Sequence, residues 1–203
     1  EVAPVPDYVQ ALAPFDGAIL CLDDAHATGV IGEKGQGTLE YYGLQGPGRY
    51  TSYTLSKALA GHGGVIAGDA ALIEKLARNS MVPGATSPSP LPAAAASARA
   101  LDLVRSSPDL GQKLWANVRR AREGLRELGG PLADTPVPIL CLGARPGLDL
   151  ARLQSELFAR DICVAHVTRY SSVPPGGALR IAIFATHTAE QIDRLVFELG
   201  RLV

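Results

Sequence analysis

The sequence predicts an α/β chain in two parts, and three observations carry that prediction. The apolar run GAILCLDD (17–24) is bounded by glycine and aspartate, as a short buried strand would be. Runs with apolar residues on one face at helical spacing stand on either side of it and recur to the C-terminus. The rhythm then changes near residue 105. Beyond that point the order helix, strand, helix, strand, strand, helix describes a small α+β domain. The expected division is therefore 1–105 and 106–203.

The elements follow in order. DYVQALAPF (7–15) reads as a short helix leading into the first strand. DAALIEKLARNS (69–80) is helical, with Asp69 as its N-cap. PAAAASARALDLVRS (92–106) is a second helix, whose alanines suit tight packing against neighbours. The intervening MVPGATSPSPLP (81–92) is too rich in Pro and Gly for regular structure. The first part as a whole reads as three strands and a few helices, with an abrupt start. In the second part a long amphipathic helix fits residues 108–130 and ends at the pair Gly129-Gly130. VPILCLGA (137–144) reads as a strand, LDLARLQSELFARD (148–161) as a helix, and ICVAHVT (162–168) and ALRIAIFA (178–185) as strands. A closing helix starts after Thr188, a candidate N-cap.

Composition narrows the function. With 203 residues, 47% of them hydrophobic, the chain can bury one core or somewhat more. A net charge of -1 offers no footprint for nucleic acid or an anionic membrane surface. No apolar run has membrane-spanning length, and the opening EVAPVPDYVQ is too polar for a secretory leader. Cys21, Cys141 and Cys163 stand singly in apolar runs without CxxC spacing. They signal neither a zinc site nor a redox pair and read as small core hydrophobes. The expectation is a soluble, cytoplasmic protein with no nucleic-acid and no membrane partner.

Two motifs carry chemistry. In LCLDDAHATGVIGEKGQG (20–37) a strand runs into Asp23 and Asp24, with His26 close behind. A carboxylate at the C-terminal end of a strand lies where open α/β sheets bind ligands. A protonated ring nitrogen would suit it; a turn-capping role with His26 hydrogen-bonded in the loop is the plainer alternative. No second ligand cluster supports a metal on these residues. In TSYTLSKALAGHGG (51–64) Lys57, one of four lysines, stands among small residues. A desolvated lysine forms Schiff bases with aldehydes, and a nearby hydroxyl such as that of Thr54 can bind a phosphate oxygen. Glycines let a flat ring approach the backbone. An acid for a pyridinium nitrogen, followed about thirty residues on by a Schiff-base lysine, is what pyridoxal 5'-phosphate (PLP) chemistry requires.

These stretches resemble the α-oxoamine synthases: 8-amino-7-oxononanoate synthase, 2-amino-3-ketobutyrate CoA ligase, 5-aminolevulinate synthase and serine palmitoyltransferase. The resemblance covers almost the whole chain. It implies the aspartate-aminotransferase fold (fold type I), with the C-terminal part of the PLP-binding large domain followed by the small α+β domain. It implies condensation of an amino acid with an acyl-CoA, usually with loss of carbon dioxide. By position, Asp23 resembles the partner of the pyridine nitrogen and His26 the residue bonded to the cofactor's phenolic oxygen. Lys57 resembles the cofactor-binding lysine and base at the substrate α-carbon, and Thr54 a phosphate ligand. GATSPSPLP (84–92) matches the segment that reaches the phosphate of the neighbouring subunit, through Ser87 or Ser89. Arg180 matches the arginine that binds the substrate carboxylate, a bidentate task. His166 and His187 read as structural.

The resemblance also implies a long N-terminal portion before the residue equivalent to Glu1, bearing a phosphate loop, a ring-stacking aromatic residue and much of the acyl-CoA channel. A half sheet of this kind would expose apolar surface, so an extensive interface and a homodimer are expected. VPPG (173–176) most resembles 8-amino-7-oxononanoate synthase, which joins alanine to a pimeloyl thioester in biotin synthesis. A glycine C-acetyltransferase, an aminotransferase or lyase of the same fold, and an inactive pairing half are the alternatives.

Overall fold

The computed structural model describes residues 2–81, 84, 86–128, 132, 134–169, 173 and 176–203. It divides into two compact units, Val2–Pro108 and Asp109–Val203.

The N-terminal unit begins with α1 (Val5–Leu12), which has a proline in its first turn, where the missing N–H is no loss. β1 (Leu20–Asp23) follows, then the four-residue α2 (Thr38–Tyr41), β2 (Arg49–Thr54), β3 (Gly64–Ala67), α3 (Ala70–Asn79) and α4 (Leu91–Ser106). The sheet order is β1-β2-β3. β1 and β2 are parallel, with Asp23 opposite Ser52; β2 and β3 are antiparallel, with Thr54 opposite Gly64. Val5, Leu22 and Leu39 form the core, with Val9, Leu20, Tyr42 and Leu44 packed on it. Asp69 caps α3 by accepting from the Leu72 N–H. That bond, with a second from the Tyr50 hydroxyl, holds the Asp69 carboxyl below the usual carboxylate range.

The C-terminal unit runs α5 (Pro108–Glu127), β4 (Ile139–Gly143), α6 (Leu150–Phe158), β5 (Ala165–Val167), β6 (Ala178–Ala182) and α7 (Ala189–Leu202). The expected order of elements is therefore observed. The sheet is antiparallel, with order β4-β6-β5. Leu140 and Leu142 of β4 and Leu179 and Ile181 of β6 meet Val118, Ala121 and Leu125 of α5, Leu157 of α6 and Ile192, Leu195 and Leu199 of α7 in one core. Asp149 caps α6, and Thr188 with Gln191 forms a full capping box at α7. His187 has the structural role expected: its Nδ1 accepts from the Phe184 N–H at 3.2 Å.

Several expectations need correction. All three cysteines are exposed. Strand side chains alternate between faces, so Leu140 and Leu142 point inward and Cys141 between them points out. Cys21 stands out between Leu20 and Leu22 for the same reason. β1 is correspondingly not buried on both faces; only Leu22 is fully inside. α4 is present, but its alanines are not tightly packed: Ser97 is its buried residue among those described, while Leu101 and Leu103 are exposed. Within 81–92, residues 87–90 lack regular structure as expected and Gly84 is helical. The pair Gly129-Gly130 and the prolines of VPPG lie outside the described residues. Among the described residues no helix is long and apolar enough to cross a membrane.

Candidate active site

Parallel register builds the site. Because β1 and β2 run in the same direction, their C-terminal residues, Asp23 and Thr54, lie at the same end of the sheet. Binding crevices of open α/β sheets form at that end. The chain leaves β2 there, makes the loop 55–63 and returns as β3. Lys57 stands in that loop, exposed, and its ammonium has no hydrogen-bond or ion-pair partner among the described residues. His26 is exposed in the turn that follows Asp23. The Asp23 carboxylate accepts from the Ala25 N–H at 3.0 Å, a local turn bond that leaves acceptor capacity on its other oxygen.

The lysine loop is tightly specified. Leu55 N–H donates to the Gly63 carbonyl at 2.9 Å, Ala60 N–H to the Lys57 carbonyl at 3.0 Å, and Gly61 N–H to the Leu55 carbonyl at 2.6 Å. Leu59 is buried beneath it. Ala60 holds a left-handed conformation at φ 49°, unusual for a residue with a Cβ. Two close approaches hem the loop in. A Cβ on Gly29 would stand 2.8 Å from Ala58 Cβ, and one on Gly61 would overlap the Ser97 hydroxyl of α4. Gly29 has φ +81°, so only glycine suits it on both counts.

The predicted phosphate ligands divide. Ser89 donates to the His62 carbonyl at 3.2 Å and stands against Gly63, so it lies at the lysine loop. Ser87 is exposed in the neighbouring stretch and makes no such bond among the described residues. Thr54 Oγ1 donates to the Gly63 carbonyl at 3.2 Å and accepts from the Ser56 N–H at 3.1 Å. Its hydroxyl would have to turn from Gly63 to donate to an anion. Arg180 belongs to the other unit: half-buried on β6, opposite Cys141 of β4 and Ala165 of β5, and without an ion-pair partner among the described residues.

Asp24, which the motif pairs with Asp23, does not face the same way. It is buried and both its oxygens accept bonds from Thr38. Among the described residues no cluster of three or more His, Cys, Asp or Glu could hold a metal. Sequence reading missed Gly29, Gly61 and Ser97 as parts of the site; the glycines after His26 and Lys57 were the available signal. At this end stand an ammonium without a partner among the described residues, a carboxylate with a spare acceptor, the exposed imidazole of His26 and the Ser89 hydroxyl on the His62 carbonyl, beside glycine and alanine. That set fits a flat aldehyde bearing a ring nitrogen and a phosphate.

The family model described as aminotransferase class I and II matches residues 2–199. An 8-amino-7-oxononanoate synthase of Methylococcus capsulatus is 37% identical over 205 residues, covering 100% of this chain and 52% of that protein. A serine palmitoyltransferase of Sphingobacterium spiritivorum is 34% identical over 205 residues, covering 100% of this chain and 50% of that protein. A solved structure of SPT with PLP internal aldimine superposes with TM-score 0.89 at 25% identity, over 100% of this chain and 51% of that one. The chain spans about half the length of the curated relatives it matches.

Proposed function

The chain belongs to the class I and II aminotransferase family and has its fold type I architecture, and from that premise we propose that it is the lysine-bearing part of a PLP-dependent α-oxoamine synthase. The observation that carries the proposal is the register that gathers Asp23, His26 and Lys57, whose ammonium is unpaired among the described residues, at one end of a parallel strand pair. The names of the relatives, acyltransferases acting on amino acids, support the same reading.

PLP, when bound, supplies an electron sink for negative charge at the amino acid's α-carbon. Asp23 keeps the proton on the ring nitrogen by pairing its carboxylate with it. His26 donates to the phenolic oxygen. Lys57 would hold the cofactor through its aldehyde, and its amine would serve as the base at the substrate α-carbon. Thr54 would serve the cofactor phosphate, and Ser89 or Ser87 that of the neighbouring subunit. Arg180 fixes the substrate carboxylate through its two parallel N–H donors.

The acyl donor we propose is an acyl-CoA. The relatives named 8-amino-7-oxononanoate synthase favour alanine and a pimeloyl thioester over the glycine C-acetyltransferase pairing. We also propose a cytoplasmic homodimer, because Phe15, Ile19, Ile66, Met81 and Leu91 are exposed in the isolated chain. Sedimentation would test the dimer.

The decisive experiment is incubation of the purified protein with PLP, borohydride reduction and peptide mapping. A pyridoxyl group on Lys57, absent in Lys57→Ala, is expected; an adduct only at other lysines, or none, overturns the reading. Release of CoA from pimeloyl-CoA plus alanine identifies the synthase. A keto acid formed without CoA release would identify an aminotransferase, the second reading the family name favours.

A further inference from the structure

Asp24 has no part in the chemistry above, yet it is 3% exposed and bonded on every side. Its N–H donates to the Ser52 carbonyl at 2.8 Å, extending the β1–β2 ladder by one residue. Its carbonyl accepts from Ala27 N–H at 2.9 Å and Thr28 N–H at 3.1 Å, which closes the turn that carries His26. Its carboxylate accepts from Thr38 N–H at 2.8 Å and from the Thr38 hydroxyl at 2.6 Å. Gly37 has φ +99°, and any Cβ there would overlap Asp24 Oδ2. No cationic partner accompanies this carboxyl among the described residues. Burial of such a group is costly, and two hydrogen bonds to one threonine are its compensation.

Those bonds close a loop. Segment 27–37 leaves the turn and returns to Thr38, and it is folded on itself by Gly29 N–H to the Gly35 carbonyl at 2.7 Å and Gly37 N–H to the Ile31 carbonyl at 2.9 Å. Glu40 braces it from below, accepting from Lys34 N–H at 3.0 Å and Gln36 N–H at 2.8 Å. The outer side of the segment is Gly29, which bears on Ala58, the residue after Lys57.

We propose that Asp24, acting through Thr38, is a positioning residue for Lys57: it locks segment 27–37, and Gly29 of that segment holds the lysine loop in place. The meaning of the proposal for catalysis rests on the function proposed for Lys57; the mechanical claim does not. Asp23 and Asp24 then divide two tasks between the last residue of β1, which is exposed, and the buried residue after it. Asp23 faces the open end, and Asp24 fixes the wall against which the lysine loop rests.

The test compares Thr38→Val, which loses the hydroxyl, with Thr38→Ser, which keeps it. Amide hydrogen exchange is measured at Ala60 and Gly61, whose N–H groups close the lysine loop, and at Ile73 and Ser80 in and beyond α3. Loss of one hydrogen bond to a carboxylate should speed exchange at Ala60 and Gly61 about tenfold in Thr38→Val, with Ile73 and Ser80 unchanged. Borohydride trapping of PLP on Lys57 should slow by a similar factor. Thr38→Ser should match the parent in both. Asp24→Asn, which keeps one acceptor, serves if Thr38→Val does not fold, with the same pattern expected. Unchanged exchange at Ala60 and Gly61, or an equal rise at Ile73 and Ser80, overturns the proposal. If the parent chain takes no pyridoxyl group on Lys57, the proposed function fails, and the exchange comparison still decides the role of Asp24.

Discussion

At Gly61 the lysine loop has no room for a methyl group, because the Ser97 hydroxyl and the Ala93 carbonyl of α4 already occupy the space. Gly61→Ala should therefore destabilise the protein by about 1–3 kcal/mol through overpacking. Adding Ser97→Ala, which removes the overlapping oxygen, should recover part of that loss in urea melts; no recovery would show that the backbone, not the hydroxyl, sets the cost. Arg180 makes a different prediction. On the proposed reading Arg180→Ala raises the amino acid KM strongly, and an unchanged KM would place the carboxylate anchor elsewhere. The residues the proposed function calls on, Asp23, His26, Lys57 and Arg180, stood out in the sequence only in combination, since each alone has a plainer structural reading. Gly29, Gly61 and Ser97 did not stand out, because a glycine's or serine's importance lies in what approaches it.

Elements show where local signals suffice. α7 starts where Thr188 says it should, with the reciprocal bonds of a capping box. Thr188→Ala should cost about 1 kcal/mol in thermal or urea melts, and a loss near zero would mean that packing alone holds the helix start. α7 is tied to α5 by a bidentate pair: Arg120 Nε and Nη2 donate to the two Asp193 oxygens, each at 2.6 Å. That bonding holds the Asp193 carboxyl below its usual range. A depressed native pKa gives stability that is present above the unfolded carboxylate pKa and lost as pH falls through the native one. The Tm difference between the parent and Asp193→Asn should thus be small near neutrality, since both groups are exposed, and should vanish in acid below the carboxylate range. A difference that grew on acidification would contradict the pairing. β2 and β3 carried weaker signals. RYTSYT is half-buried throughout and GVIA is mostly exposed, so neither shows the alternation that marks a strand in sequence.

The two units differ in how much each buries. The C-terminal unit has one broad core in which Leu157, Leu179 and Leu199 are fully enclosed. The N-terminal unit centres on Val5, Leu22 and Leu39. Residues 109–203 expressed alone should therefore melt cooperatively, and Leu157→Ala should cost that unit about 2–5 kcal/mol. A non-cooperative melt would show that its core needs the rest of the chain.

The sequence by itself determined the fold class, the order of the second unit's elements, the helix caps and the residue types from which the proposed site is drawn. These depend on periodicity, on side-chain bonds spanning three residues and on residue type, all of which are local. Tertiary structure decided the rest. Pairing across strands turned Cys21 and Cys141 outward, because a face is assigned by the register and not by the residue. Parallel pairing of β1 with β2 brought Asp23 to the lysine loop, and burial gave Asp24 a bond to Thr38, fourteen residues away, in place of a share in the site. Contacts between segments distant in sequence are set by packing density and by the need to satisfy every buried polar group, and neither is written in any one stretch of the chain.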